Sequence, residues 1–350
     1  MSTYLPQEIV EEIVVKLPIK SRFRLLTVSK EWRKLITAIL NIPTNKTTFL
    51  LLCSSTRTQF AFNLDNYGIF QDYTRLMVED DREQTLSITA SGYGLIVFEY
   101  VEQVILWNPF IRRAFILPEL GEESRLSEYT ISFGVVVDYM NNECKVLRMD
   151  VHSTVAIFRL STRSWELLVL NAPFFLLFGC QVDLKGICYW IGEDDHRKML
   201  LVSFDGCTEL FTSIELPLPP LSNNKIFGVP VDYLNQLLFL FDESLIYIHA
   251  ENYVGDDEGY VIRCNIWKME DSEGEVWVLY QAICFQEHVI PLGFRENGEF
   301  VWAGCKTKKL ISINLKNGEF TPLGTHDADH LLSCPNYVES VALLDATRGE

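Results

Sequence analysis

The sequence predicts a small all-α unit of three helices at residues 1–42, followed by an all-β propeller of six blades at residues 43–350. Three observations carry that prediction. An apolar stripe with helical spacing opens the chain, and short β-rich runs separated by turn residues fill everything after Pro43. A strand–turn–strand unit also recurs about every 45 residues, the spacing of a four-stranded propeller blade. At 350 residues, 48% apolar and 22% charged, the composition is that of a folded globular chain and rules out general disorder.

The first helix rests on Leu5, Ile9, Val10, Ile13, Val14 and Leu17, with Glu8, Glu11, Glu12 and Lys16 between them. Pro6 suits a first turn, where its missing N–H costs nothing, and Pro18 stops the helix. A second pattern, Leu25, Val28, Trp32, Leu35, Ile36 and Ile39, follows, with Ser29 placed to cap the last helix. Three short helices with breaks near Pro18 and Val28 fit this run. So short a unit cannot bury so many large apolar side chains internally. Either another protein's helices cover the stripe, or the unit packs as a cap on the rest of the chain.

These residues resemble the F-box of plant proteins. The resemblance lies in Leu5-Pro6-Gln7-Glu8-Ile9-Val10-Glu11-Glu12-Ile13 through Leu17-Pro18-Ile19, then Arg24-Leu25-Leu26-Thr27-Val28-Ser29-Lys30-Glu31-Trp32-Arg33-Lys34-Leu35-Ile36, and covers residues 3–42. It implies docking on the Skp-type adaptor of a cullin-based ubiquitin ligase. By the same resemblance the adaptor-facing residues are Leu5, Pro6, Ile9, Ile13, Leu17, Pro18, Ile19, Leu25, Val28, Trp32 and Leu35. Many family members have Cys where this chain has Ser29, a near match in size.

In the remainder, strands are read at Thr48–Cys53, Leu95–Phe98, Val135–Val137, Leu237–Phe241 and Phe300–Trp302. The recurring unit starts at Phe62, Trp107, Phe158, Phe204, Trp267 and Ile313. The one long gap, between Phe204 and Trp267, is assigned to an acidic insertion at Tyr253–Tyr260. Closure of the ring is expected to pair Thr48–Cys53 with Tyr337–Leu344, because a blade buries its faces only against neighbours. A two-sheet sandwich of the same strands is disfavoured, since sandwiches show no fixed period. Trp107-Asn108-Pro109, Ser132-Phe133-Gly134 with Lys145-Val146-Leu147, Ser164-Trp165, Gly186-Ile187-Cys188-Tyr189-Trp190 and Ser203-Phe204-Asp205 with Glu209-Leu210-Phe211 resemble ordered landmarks of the plant F-box-associated, Kelch-like domain. Ile266-Trp267-Lys268-Met269, Pro291-Leu292-Gly293-Phe294 and Tyr337-Val338-Glu339-Ser340 continue that order. The resemblance, which extends to S-locus F-box-like proteins, implies a substrate receptor. Trp107, Trp165, Trp190, Trp267, Trp277 and Trp302 are read mainly as filling between blades, and no substrate contact is assigned.

The chain has 30 Lys+Arg against 47 Asp+Glu, a formal charge of −17. The opening segment runs the other way, with Lys16, Lys20, Arg22, Arg24, Lys30, Arg33 and Lys34 against Glu8, Glu11, Glu12 and Glu31. An acidic β unit repels nucleic acid and anionic membrane; acidic clusters such as Glu193-Asp194-Asp195, Asp242-Glu243 and Asp256-Asp257-Glu258 would steer a basic protein target if they share one face, and otherwise serve solubility alone. No apolar run is long enough to span a membrane, and no secretory signal opens the chain. With nine cysteines and no CxxC pair, reduced thiols in the cytoplasm or nucleus are expected. No GxSxG, Walker, GxGxxG or HExxH motif is present, and His326-Asp327-Ala328-Asp329-His330 is read as an exposed acidic tip rather than a metal site. The resemblance therefore implies a non-catalytic substrate-recognition subunit of a Skp-cullin-F-box ligase, without cofactor. A glycosidase-type propeller enzyme and a ligase-independent scaffold are the alternatives.

Overall fold

The structure is a computed structural model describing residues 6–40 except 18 and 27, and 48–343 except 56–57, 65–69, 77–86, 101–102, 109–110, 112, 121–129, 142, 151–153, 169–173, 177–181, 218–224, 227–228, 231–235, 255–259, 271–275, 296, 326–329 and 338–342. Helices α1 (Gln7–Lys16), α2 (Ile19–Leu25) and α3 (Lys30–Leu40) form as expected, with breaks after Lys16 and Leu25. Pro6 begins α1, its carbonyl accepting from the N–H groups of Ile9 and Val10 at 3.1 and 3.2 Å. Ser29 caps α3, its hydroxyl accepting from the Trp32 N–H at 3.2 Å.

The strands are β1 (Thr48–Ser55), β2 (Thr58–Leu64), β3 (Phe70–Leu76), β4 (Ser87–Gly92), β5 (Leu95–Tyr100), β6 (Gln103–Asn108), β7 (Arg113–Ile116), β8 (Thr130–Asp138), β9 (Glu143–Asp150), β10 (Val155–Arg159), β11 (Ser164–Leu168), β12 (Phe175–Leu176), β13 (Val182–Leu184), β14 (Ile187–Glu193), β15 (Met199–Asp205) and β16 (Phe211–Glu215). They continue with β17 (Lys225–Ile226), β18 (Val229–Pro230), β19 (Gln236–Phe241), β20 (Ser244–Val254), β21 (Tyr260–Glu270), β22 (Val276–Phe285), β23 (Val289–Phe294), β24 (Glu299–Gly304), β25 (Lys309–Asn314), β26 (Glu319–Thr325) and β27 (His330–Tyr337). All pairings among them are antiparallel and join strands consecutive in the chain, apart from the β1–β27 closure and the β12–β14 pair. The architecture is a β-propeller.

The expected six equal four-stranded blades are met five times: β4–β7, β8–β11, β19–β22, β23–β26 and the closing sheet β27-β1-β2-β3. The sheet β12–β16 departs from the pattern because two short strands, β12 and β13, share opposite ends of β14. The strand–turn–strand units seen in the sequence start on β2, β6, β10, β15, β21 and β25, in each case followed by the outermost strand of the sheet. The long gap has two causes rather than one. Strands β20 and β21 are each 11 residues long, extending their hairpin, and a separate ribbon, β17–β18, precedes β19.

Closure pairs β1 with β27, but β27 lies earlier than expected, at His330–Tyr337, so His330 opens a strand instead of ending a loop. Pro335 lies within this strand. In the fold it falls where the register shifts between Leu50↔Cys334 and Thr48↔Tyr337, on a strand that pairs on one side only, which is where a sheet tolerates a proline.

Successive side chains on a strand point to opposite faces, and in this ring both faces are covered. On β8, Phe133 and Val135 pack towards β4–β7 while Val136 packs towards β12–β16; Val146 and Leu147 on β9 divide in the same way. Further clusters join β12–β16 to β19–β22, and β19–β22 to β23–β26. This two-sided burial explains why the β8 sequence, Ser132-Phe133-Gly134-Val135-Val136-Val137, is a continuous apolar run rather than an alternating one.

Candidate functional site

The opening apolar stripe divides into two seams. Consecutive residues of a helix are about 100° apart, so Val10 and Val14 face one way and Ile9 and Ile13 another. Val14, on α1, joins Leu26 and Ile36 in a small helical core, at 1%, 3% and 0% exposure. Val10, Leu25, Trp32 and Leu35 pack around it, half-buried. Ile9 and Ile13 lie outside this core at 42% and 47% exposure, and Val28, between α2 and α3, is 61% exposed. Pro6 is also exposed, and Leu17 is half-buried.

Of the expected adaptor-facing residues, Pro6, Ile9, Ile13 and Val28 thus form the open part of the helical surface. Leu17, Leu25, Trp32 and Leu35 are half-buried, the last three serving the helical core at the same time. Leu5 and Pro18 lie outside the described residues, as does the Ile19 side chain. The sequence reading omitted Val15, which is exposed at 50% on the same helix.

Two interactions fix the helices. The buried Arg22 of α2 donates from Nε to the Leu17 carbonyl at 2.8 Å and from a terminal nitrogen to the Val15 carbonyl at 2.5 Å. Carbonyls at the C-terminal end of α1, which a helix leaves unpaired, are satisfied by a neighbouring side chain. Burial lowers the Arg22 pKa. In α3, the Ser29 hydroxyl donates to Glu31 at 2.7 Å, and that bond, with one from the Glu31 backbone, holds the Glu31 carboxyl below its usual range.

On the propeller the tryptophans behave mainly as spacers. Trp107, Trp190 and Trp302 are buried, and Trp165, Trp267 and Trp277 are half-buried. Two of them stitch neighbouring sheets: Trp190 Nε1 donates to the Phe133 carbonyl at 3.1 Å, and Trp165 Nε1 to the Pro118 carbonyl at 2.7 Å. A buried cation adds a third link. Lys145 Nζ on β9 contacts Asp138 at 3.1 Å, the Gly206 carbonyl at 2.7 Å and Glu209 at 2.8 Å, the last two in the turn after β15. Arg159 completes the link to Glu209 at 2.7 Å. Burial alone would raise the Asp138 carboxyl, but donors from Asn141 and Lys145 outweigh it and hold the group well below the carboxylate range. These polar groups are engaged with one another, so they read as structure rather than as a substrate site.

Among the described residues, two acidic clusters lie at opposite ends of their sheets. Asp242-Glu243 lies in the turn between the first and second strands of its sheet, whereas Glu193-Asp194-Asp195 lies at the turn between second and third. In an antiparallel meander those turns are at opposite ends. Asp256-Asp257-Glu258 and His326–Asp329 lie outside the described residues.

Comparison with known proteins agrees with this arrangement of helices and strands. The profile of the F-box domain matches residues 3–41, and that of the F-box associated beta propeller domain matches residues 48–340. The chain belongs to the F-box-associated β-propeller family. A putative F-box protein of Arabidopsis thaliana is 27% identical over 67% of this chain, and F-box only protein 8 of the same plant is 25% identical over 62%. The matched region spans 64% of the first relative's own length and 81% of the second's. Among solved structures, a chain of the nidogen/laminin complex superposes with a TM-score of 0.45 at 10% identity, covering 83% of this chain and 99% of that one. At that level the fold is argued from the strands themselves.

Proposed function

We propose that this family member is the substrate-recognition subunit of a Skp-cullin-F-box ubiquitin ligase: the helices bind a Skp-type adaptor and, through it, a cullin, while the propeller holds a protein target. The observation that carries this reading is the unpartnered apolar surface of Pro6, Ile9, Ile13 and Val28 on an F-box whose own core is already closed by Val14, Leu26 and Ile36. Apolar side chains left in water beside a complete core are accounted for by a partner. The adaptor-facing set on this reading is the one given by the resemblance, with Ile9, Ile13 and Val28 at its open centre and Trp32 and Leu35 supporting from below.

The subunit makes and breaks no bonds on this reading. Its contribution is effective concentration, bringing target and ubiquitin-loaded enzyme into one assembly. A basic target is supported by the overall charge of −17 alone, since the described acidic clusters are divided between the two ends of the ring. Residence in the cytoplasm or nucleus, where such ligases operate, is part of the same proposal.

Reconstitution tests it. Mixed with purified adaptor and cullin, the full chain is expected to co-elute as one complex, and chain carrying Ile13→Asp to elute alone. Capture from plant cells treated with a proteasome inhibitor then yields ubiquitin-bearing targets with the wild type and not with the variant. Equal elution of the two proteins overturns the reading.

A further inference from the structure

Ile111 lies in the turn between β6 and β7, at the end of the ring that carries the first-to-second and third-to-fourth strand turns. Such a tip is usually polar and solvated. Here its aliphatic side chain is half-buried and packs against two cores at once. One is the propeller cluster containing Leu106, Phe133 and Phe158, and the other is the helical cluster of Val14, Leu26 and Ile36. Among the described residues it is the propeller side chain that the helical cluster takes in. The turn is held from beneath: Asn108, fully buried, accepts from the Ile111 N–H through Oδ1 at 3.3 Å. A buried asparagine thus fixes the height at which the isoleucine stands above the ring.

We propose that Ile111 is a positioning residue that seats the helical unit on the propeller, so that the two move as one body. Small interfaces between units of one chain otherwise leave relative motion as the default. Withdrawing from water the part of Ile111 that the helices cover shifts a seated-to-unseated ratio by roughly several-fold towards the seated arrangement. The functional consequence rests on the ligase reading, since a fixed seat sets the distance from adaptor to target. The seat itself does not.

The test is NMR relaxation on the full chain, comparing rotational correlation times of amides in α1–α3 with those in the propeller. Wild type and the conservative Ile111→Val are expected to show one shared correlation time. In Ile111→Asp the helices should tumble at least about twofold faster than the propeller, whose amide spectrum and thermal transition stay those of the wild type. Should Ile111→Asp not fold, Ile111→Ser serves the same comparison. Independent tumbling in the wild type, or shared tumbling in the folded polar variant, overturns the seat. An adaptor titration run on the same samples separates the two ideas. Equal affinity for wild type and polar variant is expected, because Ile111 lies apart from the open helical surface. Loss of adaptor affinity specific to the polar variant assigns Ile111 to the adaptor site and overturns its role as a seat. Absence of binding by every sample contradicts the ligase reading while leaving the seat standing.

Discussion

At the scale of single residues, the stability of the ring depends on a few buried polar groups whose roles differ. Lys145 is a fully satisfied cation between two sheets. Its replacement by Met leaves the buried Asp138 without its cation, while Glu209 keeps Arg159, and breaking a buried pair in this way costs about 3–5 kcal/mol. Urea titration of Lys145→Met should show that loss, and the added change Asp138→Asn should recover part of it. Asp183, on β13, is the opposite case. Its Oδ2 is buried with no hydrogen-bond partner among the described residues, and burial lifts the carboxyl to about 7. A carboxyl whose folded pKa lies above its unfolded value favours the fold when protonated. Stability from this group is therefore greatest below about pH 4, falls as pH rises to about 7, and is flat above. Asp183→Asn should stabilise the protein at pH 8 by up to about 4 kcal/mol, with the gain vanishing near pH 4. A gain of the same size at both pH values in thermal or urea melts would contradict this account of Asp183.

At the scale of elements, close packing between sheets leaves no room at certain turns. Gly186, between β13 and β14, has φ of +82°, and a Cβ there would stand 2.8 Å from both the Tyr139 ring and the Val137 carbonyl of the neighbouring sheet. Gly186→Ala combines left-handed strain with a clash against backbone, at about 3 kcal/mol, and should lower the thermal midpoint by several degrees. An unchanged midpoint would show that the two sheets can move apart. The elements themselves were largely readable in the sequence wherever a period was present. The helical stripe gave α1 and α3, Ser29 gave the cap, and the aromatic strand–turn–strand unit found the third and outermost strands of the sheets. What was hidden lacks a local signature. Pro335 disguised the closing strand because tolerance of proline depends on which edge of a sheet it occupies. The split strand β12/β13 and the ribbon β17–β18 are too short to carry a period. Arg22 as a cap for α1 depends on how the chain turns between α1 and α2, which no periodicity records, and Ile111 as a bridge between cores involves residues distant in sequence. Within the adaptor-facing set, the resemblance named the residues, while only the fold separates exposed Ile9, Ile13 and Val28 from half-buried Trp32.

At the scale of the whole molecule, two units of opposite charge are joined in one chain, each with a closed core, and the helical one keeps an apolar surface open. That surface is the centre of the account. Trp32→Ala is a poor probe of it, because Trp32 also packs in the helical core and its loss would disturb the fold. Ile9, Ile13 and Val28 are free of that objection. The direct measurement is calorimetric titration of purified Skp-type adaptor into the full chain and into Ile9→Asp/Val28→Asp, with circular dichroism to verify that the helices persist. The account predicts tight binding by the wild type and an affinity at least about thirtyfold weaker in the variant, the loss expected when central contacts of an interface are removed. Undiminished binding by the variant, or no binding by a folded wild type, would contradict it.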